Sequence, residues 1–142
     1  MNKELKRMII QSHTTSKNNF CLEAPKGYLH IAPNTSATCT DKWDIYLKIN
    51  NDVIEDVKYT GNGCAISTAS LSILSELLIS KSLVQAKEII SEYTKMIKGE
   101  TFDESLLGEL IVFDNVHSVW NRVECALIGS NAIKKTLGGE NE

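Results

Sequence analysis

Trp43-Asp44-Ile45-Tyr46-Leu47-Lys48-Ile49-Asn50-Asn51-Asp52-Val53-Ile54-Glu55-Asp56-Val57-Lys58-Tyr59 is the stretch that decides the fold. Trp43, Ile45, Leu47 and Ile49 alternate with Asp44, Tyr46 and Lys48, the period-two pattern of a strand with one face buried. Asn50-Asn51-Asp52 supplies residues that tolerate turn geometry, and Val53 to Tyr59 alternates again. The two runs are predicted to pair as an antiparallel hairpin that ends at Thr60-Gly61-Asn62-Gly63.

Beyond the hairpin the period changes. Ile66, Ala69, Ile73 and Leu77 fall at helical spacing, with Leu74 and Leu78 widening the stripe, so a well-buried helix should follow Cys64. A second helix opens at Ser82, which can cap while Gln85 reaches back, and its apolar face is Leu83, Ala86, Ile90, Tyr93 and Ile97 until Gly99 stops it. Asn121-x-x-Glu124 resembles a capping box, placing the last helix from Asn121 through Leu137, with a disordered acidic tail from about residue 138. The segment from Glu100 to Val116 combines a turn-like Asp103 to Leu107 with the apolar run Leu110-Ile111-Val112-Phe113 and fits no single period. Before the hairpin, residues 3 to 13 read as a short helix and Thr14 to Asn19 as a loop; Phe20 to Thr38 carries no clear pattern. No segment repeats at 20 to 50 residues. The expectation is a single α+β domain over residues 1–142, a small antiparallel β-sheet packed against several α-helices.

With 142 residues and 42% hydrophobic content the chain suits one core. Its 15 basic and 18 acidic residues give a net charge of -3, without the positive excess that phosphate backbones attract, so no nucleic-acid partner is expected. The N-terminal apolar run, Met8-Ile9-Ile10, is too short for a signal-peptide core or a membrane span, which points to a cytoplasmic protein with no membrane partner. In a reducing cytosol the four cysteines are expected as thiols, metal ligands or transient redox groups.

Three of these cysteines stand at element boundaries: Cys39 before the first strand, Cys64 after the hairpin, and Cys125 in the expected first turn of the last helix. The unsatisfied N–H groups of a helix start favour a thiolate, which binds metal and attacks sulfur. Gly61 and Gly63 permit a tight strand-to-helix turn from which Cys64 projects. The turn is not a nucleotide site, since Ile66 stands where G-x-G-x-x-G needs its last glycine and no Lys-Ser/Thr pair completes a phosphate loop. Asp41 follows Cys39 by two positions, so in extended backbone their side chains share a side and could give one ion an S and an O ligand. Cys125 shares its helical face with Gly129, Ala132 and Thr136, small residues that leave room either for close packing or for a metal. From these features alone, core packing and metal ligation remain equally open for the cysteines.

Thr38-Cys39-Thr40-Asp41, Gly61-Asn62-Gly63-Cys64-Ala65-Ile66-Ser67-Thr68-Ala69-Ser70 and Arg122-Val123-Glu124-Cys125-Ala126-Leu127 together resemble, in order, the three signature segments of the SufU/IscU (NifU N-terminal-like) iron–sulfur cluster assembly family. The likeness extends from Ile10-Gln11-Ser12-His13 to about Leu137. The chain looks like the SufU branch, because it has a long segment before the last cysteine and Glu124 where IscU-type scaffolds carry histidine. The resemblance implies a zinc site of Cys39, Asp41, Cys64 and Cys125. It also implies that Cys39 takes sulfur from the persulfide of a SufS-like cysteine desulfurase, acting as a sulfurtransferase-type carrier that feeds downstream iron–sulfur assembly proteins. Arg122 matches a family arginine. The same ligands suit a [2Fe–2S] assembly scaffold or a zinc-stabilised, non-catalytic desulfurase-binding module. The chain departs from the family pattern at Ser36-Ala37 (Asn-Pro in the family), Thr40 (Gly) and Ser130 (Trp).

His117, His13, His30 and Cys21 are left outside the ligand set, since a lone histidine is more often hydrogen-bonded or exposed and Cys21 falls outside the matching segments. Trp120 and Tyr28 suit either a partner surface or the core.

Overall fold

A computed structural model describes residues 1–32 and 41–139, apart from the side chains of Trp120 and Gly139. Cys39 and the acidic tail Glu140 to Glu142 lie outside the described residues. The expected α+β architecture is present: a three-stranded antiparallel sheet, ordered β1-β2-β3, against helices. The hairpin is β2 (Lys42–Asn50) and β3 (Val53–Asn62). Asn50 pairs with Val53, and both residues between them, Asn51 and Asp52, have positive φ (54° and 61°), the two-residue turn whose twist matches the strands.

Trp43, Ile45 and Leu47 enter the core as the alternation requires, but Ile49 is exposed. The register jumps from Lys48–Asp56 to Ile49–Ile54, leaving Glu55 as an extra residue on β3. This bulge reverses the phase of β3, so Ile54, Val57 and Tyr59 face inward, where simple alternation would bury Val53, Glu55, Val57 and Tyr59. β1 (Leu29–Ile31), in the stretch that carried no sequence pattern, pairs with β2 from Leu29–Leu47 to Ile31–Ile45.

Helix α1 spans Lys3–Ser16, three residues longer than expected at its end. Thr14 stays helical with its hydroxyl on the Ile10 carbonyl, and the helix stops only at left-handed Lys17, whose N–H reaches the His13 carbonyl. α2 (Ala65–Leu78) is the central element, touching α1, β3 and the last helix. Besides Ala69, Leu71, Ile73, Leu74 and Leu78 it buries Ser67, Ser70, Ser72 and Ser75. α3 (Leu83–Ile97) begins with the expected capping box, the Gln85 N–H donating to Ser82 Oγ at 3.1 Å and the Ser82 N–H to Gln85 Oε1 at 3.0 Å.

The unplaced segment is a series of 3-10 turns, Glu104–Leu106, Gly108–Phe113 and Val116–Ser118. The final helix, α4, covers Trp120–Lys134 and widens into a π turn at Lys135–Gly139. Its start corrects the expectation: Asn121 is already helical, Val119 occupies the cap position, and no side chain caps it. The preceding 3-10 turn runs straight into the helix through bonds from Val119 N–H to Val116 O and from Arg122 N–H to Val119 O. Asn121 therefore lacks the extended backbone that a capping residue needs. Among the described residues no helix is long and apolar enough to cross a membrane.

Candidate metal centre

Three of the four predicted ligands converge. Donor atoms of Asp41, Cys64 and Cys125, from three separate parts of the chain, all lie within 4.8 Å of one another. Asp41 and Cys125 are 3% and 2% exposed, and Cys64 is half-buried.

Cys64 is the N-cap of α2, with extended backbone (φ -73°, ψ 170°), and its Sγ accepts the Ser67 N–H at 3.5 Å. Sulfur thus stands where a capping oxygen usually sits, held against the positive end of the helix. The Cys64 N–H donates to Asp41 Oδ1 at 2.8 Å, which fixes the carboxylate beside the thiol. Behind them the Trp43 indole N–H donates to Ser67 Oγ at 3.0 Å, and the same hydroxyl reaches the Cys64 carbonyl at 3.3 Å.

Both glycines of the turn are needed, for different reasons. Gly61 has φ +119°, and a Cβ there would stand 2.1 Å from the Lys42 carbonyl oxygen. A Cβ on Gly63 would meet Ser67 Oγ and Trp43 Nε1 at 2.6 Å and Asp41 Cγ at 2.7 Å, so the absent side chain is what lets these groups close around Cys64.

Cys125 lies in the second turn of α4, not the first, so its place owes more to packing than to the helix start. The next carbonyl, Ala126 O, accepts hydrogen bonds from Tyr93 Oη at 2.9 Å and Ser70 Oγ at 3.1 Å, all buried. Burial holds the Tyr93 phenol well above its usual range, with Ser70 partly opposing the shift. Those bonds pin α4 to α2 and α3 one residue after the cysteine. The small strip following Cys125 serves close packing: a Cβ on Gly129 would lie 2.5 Å from Leu71 Cδ2.

Two sulfurs and one carboxylate oxygen are a donor set that suits Zn²⁺, and thiolates equally suit an iron–sulfur centre. Cys39 has no described position. The residues that sequence reasoning passed over are Ser67 and Trp43, the shell behind Cys64. The three-residue spacing from Cys64 to Ser67, that of a cap to its N–H partner, was the available signal. His117 packs on Gly99, His30 bonds Asp44 at 2.7 Å and stacks on Tyr46, and the Cys21 N–H is tied to the Tyr59 carbonyl; none of them joins the cluster. Tyr28 hydrogen-bonds Asp56.

The sequence profile described as NifU-like N terminal domain matches residues 6–93. The iron–sulfur cluster assembly scaffold protein IscU of Thermotoga maritima is 32% identical over 107 residues, 75% of this chain and 75% of that protein. The zinc-dependent sulfurtransferase SufU of Bacillus subtilis is 28% identical over 140 residues, 96% of this chain and 91% of that protein. The crystal structure of FiSufU from Fervidobacterium islandicum AW-1, described as an iron–sulfur cluster assembly scaffold protein for the SUF system, superposes with a TM-score of 0.84 at 29% identity. The match covers 91% of this chain and 93% of that one.

Proposed function

The chain belongs to the NifU-like N-terminal domain family, and from that premise we propose that it is a zinc-dependent sulfur acceptor in iron–sulfur cluster assembly, taking persulfide sulfur from a SufS-like cysteine desulfurase. The observation that carries this reading is the convergence of Asp41, Cys64 and Cys125 within 4.8 Å, with Cys39 two residues before Asp41 in the chain. The similarity to a protein named a zinc-dependent sulfurtransferase, over almost the whole chain, supports the same assignment.

In this reading Asp41, Cys64, Cys125 and Cys39 would hold zinc, which would keep the thiolates deprotonated while muting their attack. With a desulfurase docked, the Cys39 thiolate attacks the terminal sulfur of the desulfurase persulfide; a new S–S bond forms at Cys39, the old one breaks, and the desulfurase cysteine leaves as a thiolate with no net oxidation. The Cys64 N–H keeps Asp41 aligned throughout, and Ser67 holds Cys64.

A second reading, a [2Fe–2S] scaffold, draws on the relatives named IscU scaffold proteins and on the affinity of the same thiolates for iron. One experiment separates them: a cysteine desulfurase assay with wild type and Cys39→Ala, read together with metal content. Stoichiometric zinc, stimulation by wild type and its loss in Cys39→Ala are expected. Full activity in folded, metal-free protein overturns the zinc-dependent reading. Undiminished stimulation by Cys39→Ala leaves a desulfurase-binding module. A visible cluster spectrum after anaerobic reconstitution, with transfer to an apo-acceptor, favours the scaffold.

A further inference from the structure

A second group of side chains with metal-ligand chemistry lies away from the cysteines, and its test rests on the zinc site proposed above being filled first. Donor atoms of His13, Glu76 and Glu109 all lie within 4.8 Å of one another. They come from α1, α2 and the 3-10 stretch Gly108–Phe113, so the fold, not local sequence, assembles them. Glu76 stands twelve residues beyond Cys64 along α2, roughly 18 Å at the helical rise, which makes this a separate site.

The imidazole is 7% exposed and held at both nitrogens. Nδ1 is 2.7 Å from the buried Ser72 Oγ, and Nε2 is 2.9 Å from Glu109 Oε1. Glu76 is steadied by Asn18 Nδ2, which donates to its Oε2 at 2.7 Å. Among the described residues no lysine or arginine pairs with Glu76 or Glu109. Two carboxylates therefore converge on one imidazole, an array of one nitrogen and several oxygen donors.

Ser72 supplies what a ligating histidine needs behind it. When Nε2 is bare, the ring proton sits on Nδ1 and donates to Ser72 Oγ, which also accepts the Asn18 N–H at 2.9 Å. The neighbouring core also holds the Tyr59 hydroxyl, which is fully buried and makes no hydrogen bond among the described residues.

We propose that His13, Glu76 and Glu109 bind a divalent transition-metal ion of the zinc type, completed by water, clipping α1 to α2 and to the Gly108–Phe113 stretch. One imidazole and two carboxylates make a nitrogen–oxygen site, chemically unlike the thiolate centre.

The test is calorimetric titration of the full chain, already loaded with one equivalent of Zn²⁺, with further Zn²⁺. A second equivalent should bind to wild type and weaken by more than about tenfold in His13→Asn and in Glu109→Gln. Retention of the first equivalent against a chelator should stay unchanged in both variants. Glu109→Gln alters an exposed carboxylate and so keeps the test valid where His13→Asn unfolds the chain, with circular dichroism confirming the fold. Absence of a second equivalent, or binding of it by Glu109→Gln as tightly as by wild type, overturns the proposal.

Discussion

Gly63→Ala tests whether the centre depends on the close approach around one backbone atom. The added methyl would stand 2.6 Å from Ser67 Oγ, 2.6 Å from Trp43 Nε1 and 2.7 Å from Asp41 Cγ, all inside the roughly 3.0 Å floor of real contacts. None of these neighbours is a mobile side-chain tip. Trp43 and Ser67 are bonded to each other, Asp41 is bonded to the Cys64 N–H, and all three are buried. Relief demands a shift of several tenths of an ångström in at least one of them, a cost of about 1–3 kcal/mol for an overpacked interior. Whichever moves, the hold on Asp41 or Cys64 loosens, and supporting residues of this kind are worth about 10–100-fold in metal affinity. Urea unfolding of the metal-free protein and zinc retention against a chelator measure the two effects separately. Zinc affinity within about twofold of wild type, in a variant that unfolds at the same urea concentration, would refute the reasoning.

Tyr93→Phe removes a buried donor from the Ala126 carbonyl while Ser70 still bonds it, so the expected loss is about 0.5–1.5 kcal/mol in urea unfolding, with the fold kept. The hydrogen bond to Asp56 first, and burial second, raise the Tyr28 phenol from 10.0 to about 12. A folded value above the unfolded one means that the stability it lends is complete below pH 10 and lost as pH climbs toward 12. Tyr28→Phe should therefore flatten part of the alkaline decline of the unfolding midpoint, and an unchanged pH profile would count against the Tyr28–Asp56 bond.

The hairpin was legible because Trp43, Ile45 and Leu47 keep period two and Asn51-Asp52 suits positive φ. The bulge at Glu55 was not, since nothing in Ile54-Glu55-Asp56 signals a slipped phase. β1 escaped because three residues of which only Ile31 is buried are too few to carry a period; its pairing depends on β2 being there. In the 3-10 region the buried Leu107, Leu110, Phe113 and Val116 recur every third residue, the repeat of a 3-10 helix, which matches neither the period of two of a strand nor the 3.6 of an α-helix. The site divides similarly. Cys64 after a glycine-bearing turn announced its place at a helix start, and Asp41 and Cys125 were legible from the signature segments. Their convergence depends on how α2 and α4 cross, set by the Gly129–Leu71 contact and the Ser70–Ala126 bond, which no local pattern encodes.

Ser67, Ser70, Ser72 and Ser75 each reach a different neighbour of α2: Trp43, the Ala126 carbonyl, His13 and Asn19. An all-apolar helix could slide by a turn and lose little, since one oily contact replaces another. Here the same slide would strand the Ser70 and Ser72 hydroxyls at about 1–3 kcal/mol each, while Ser67 and Ser75 would lose their outside partners and keep only bonds to their own helix. The serines act as a key with four teeth, admitting a single seating of α2 among its neighbours, and with it a single distance between the thiolate centre and the histidine cluster at the helix's other end.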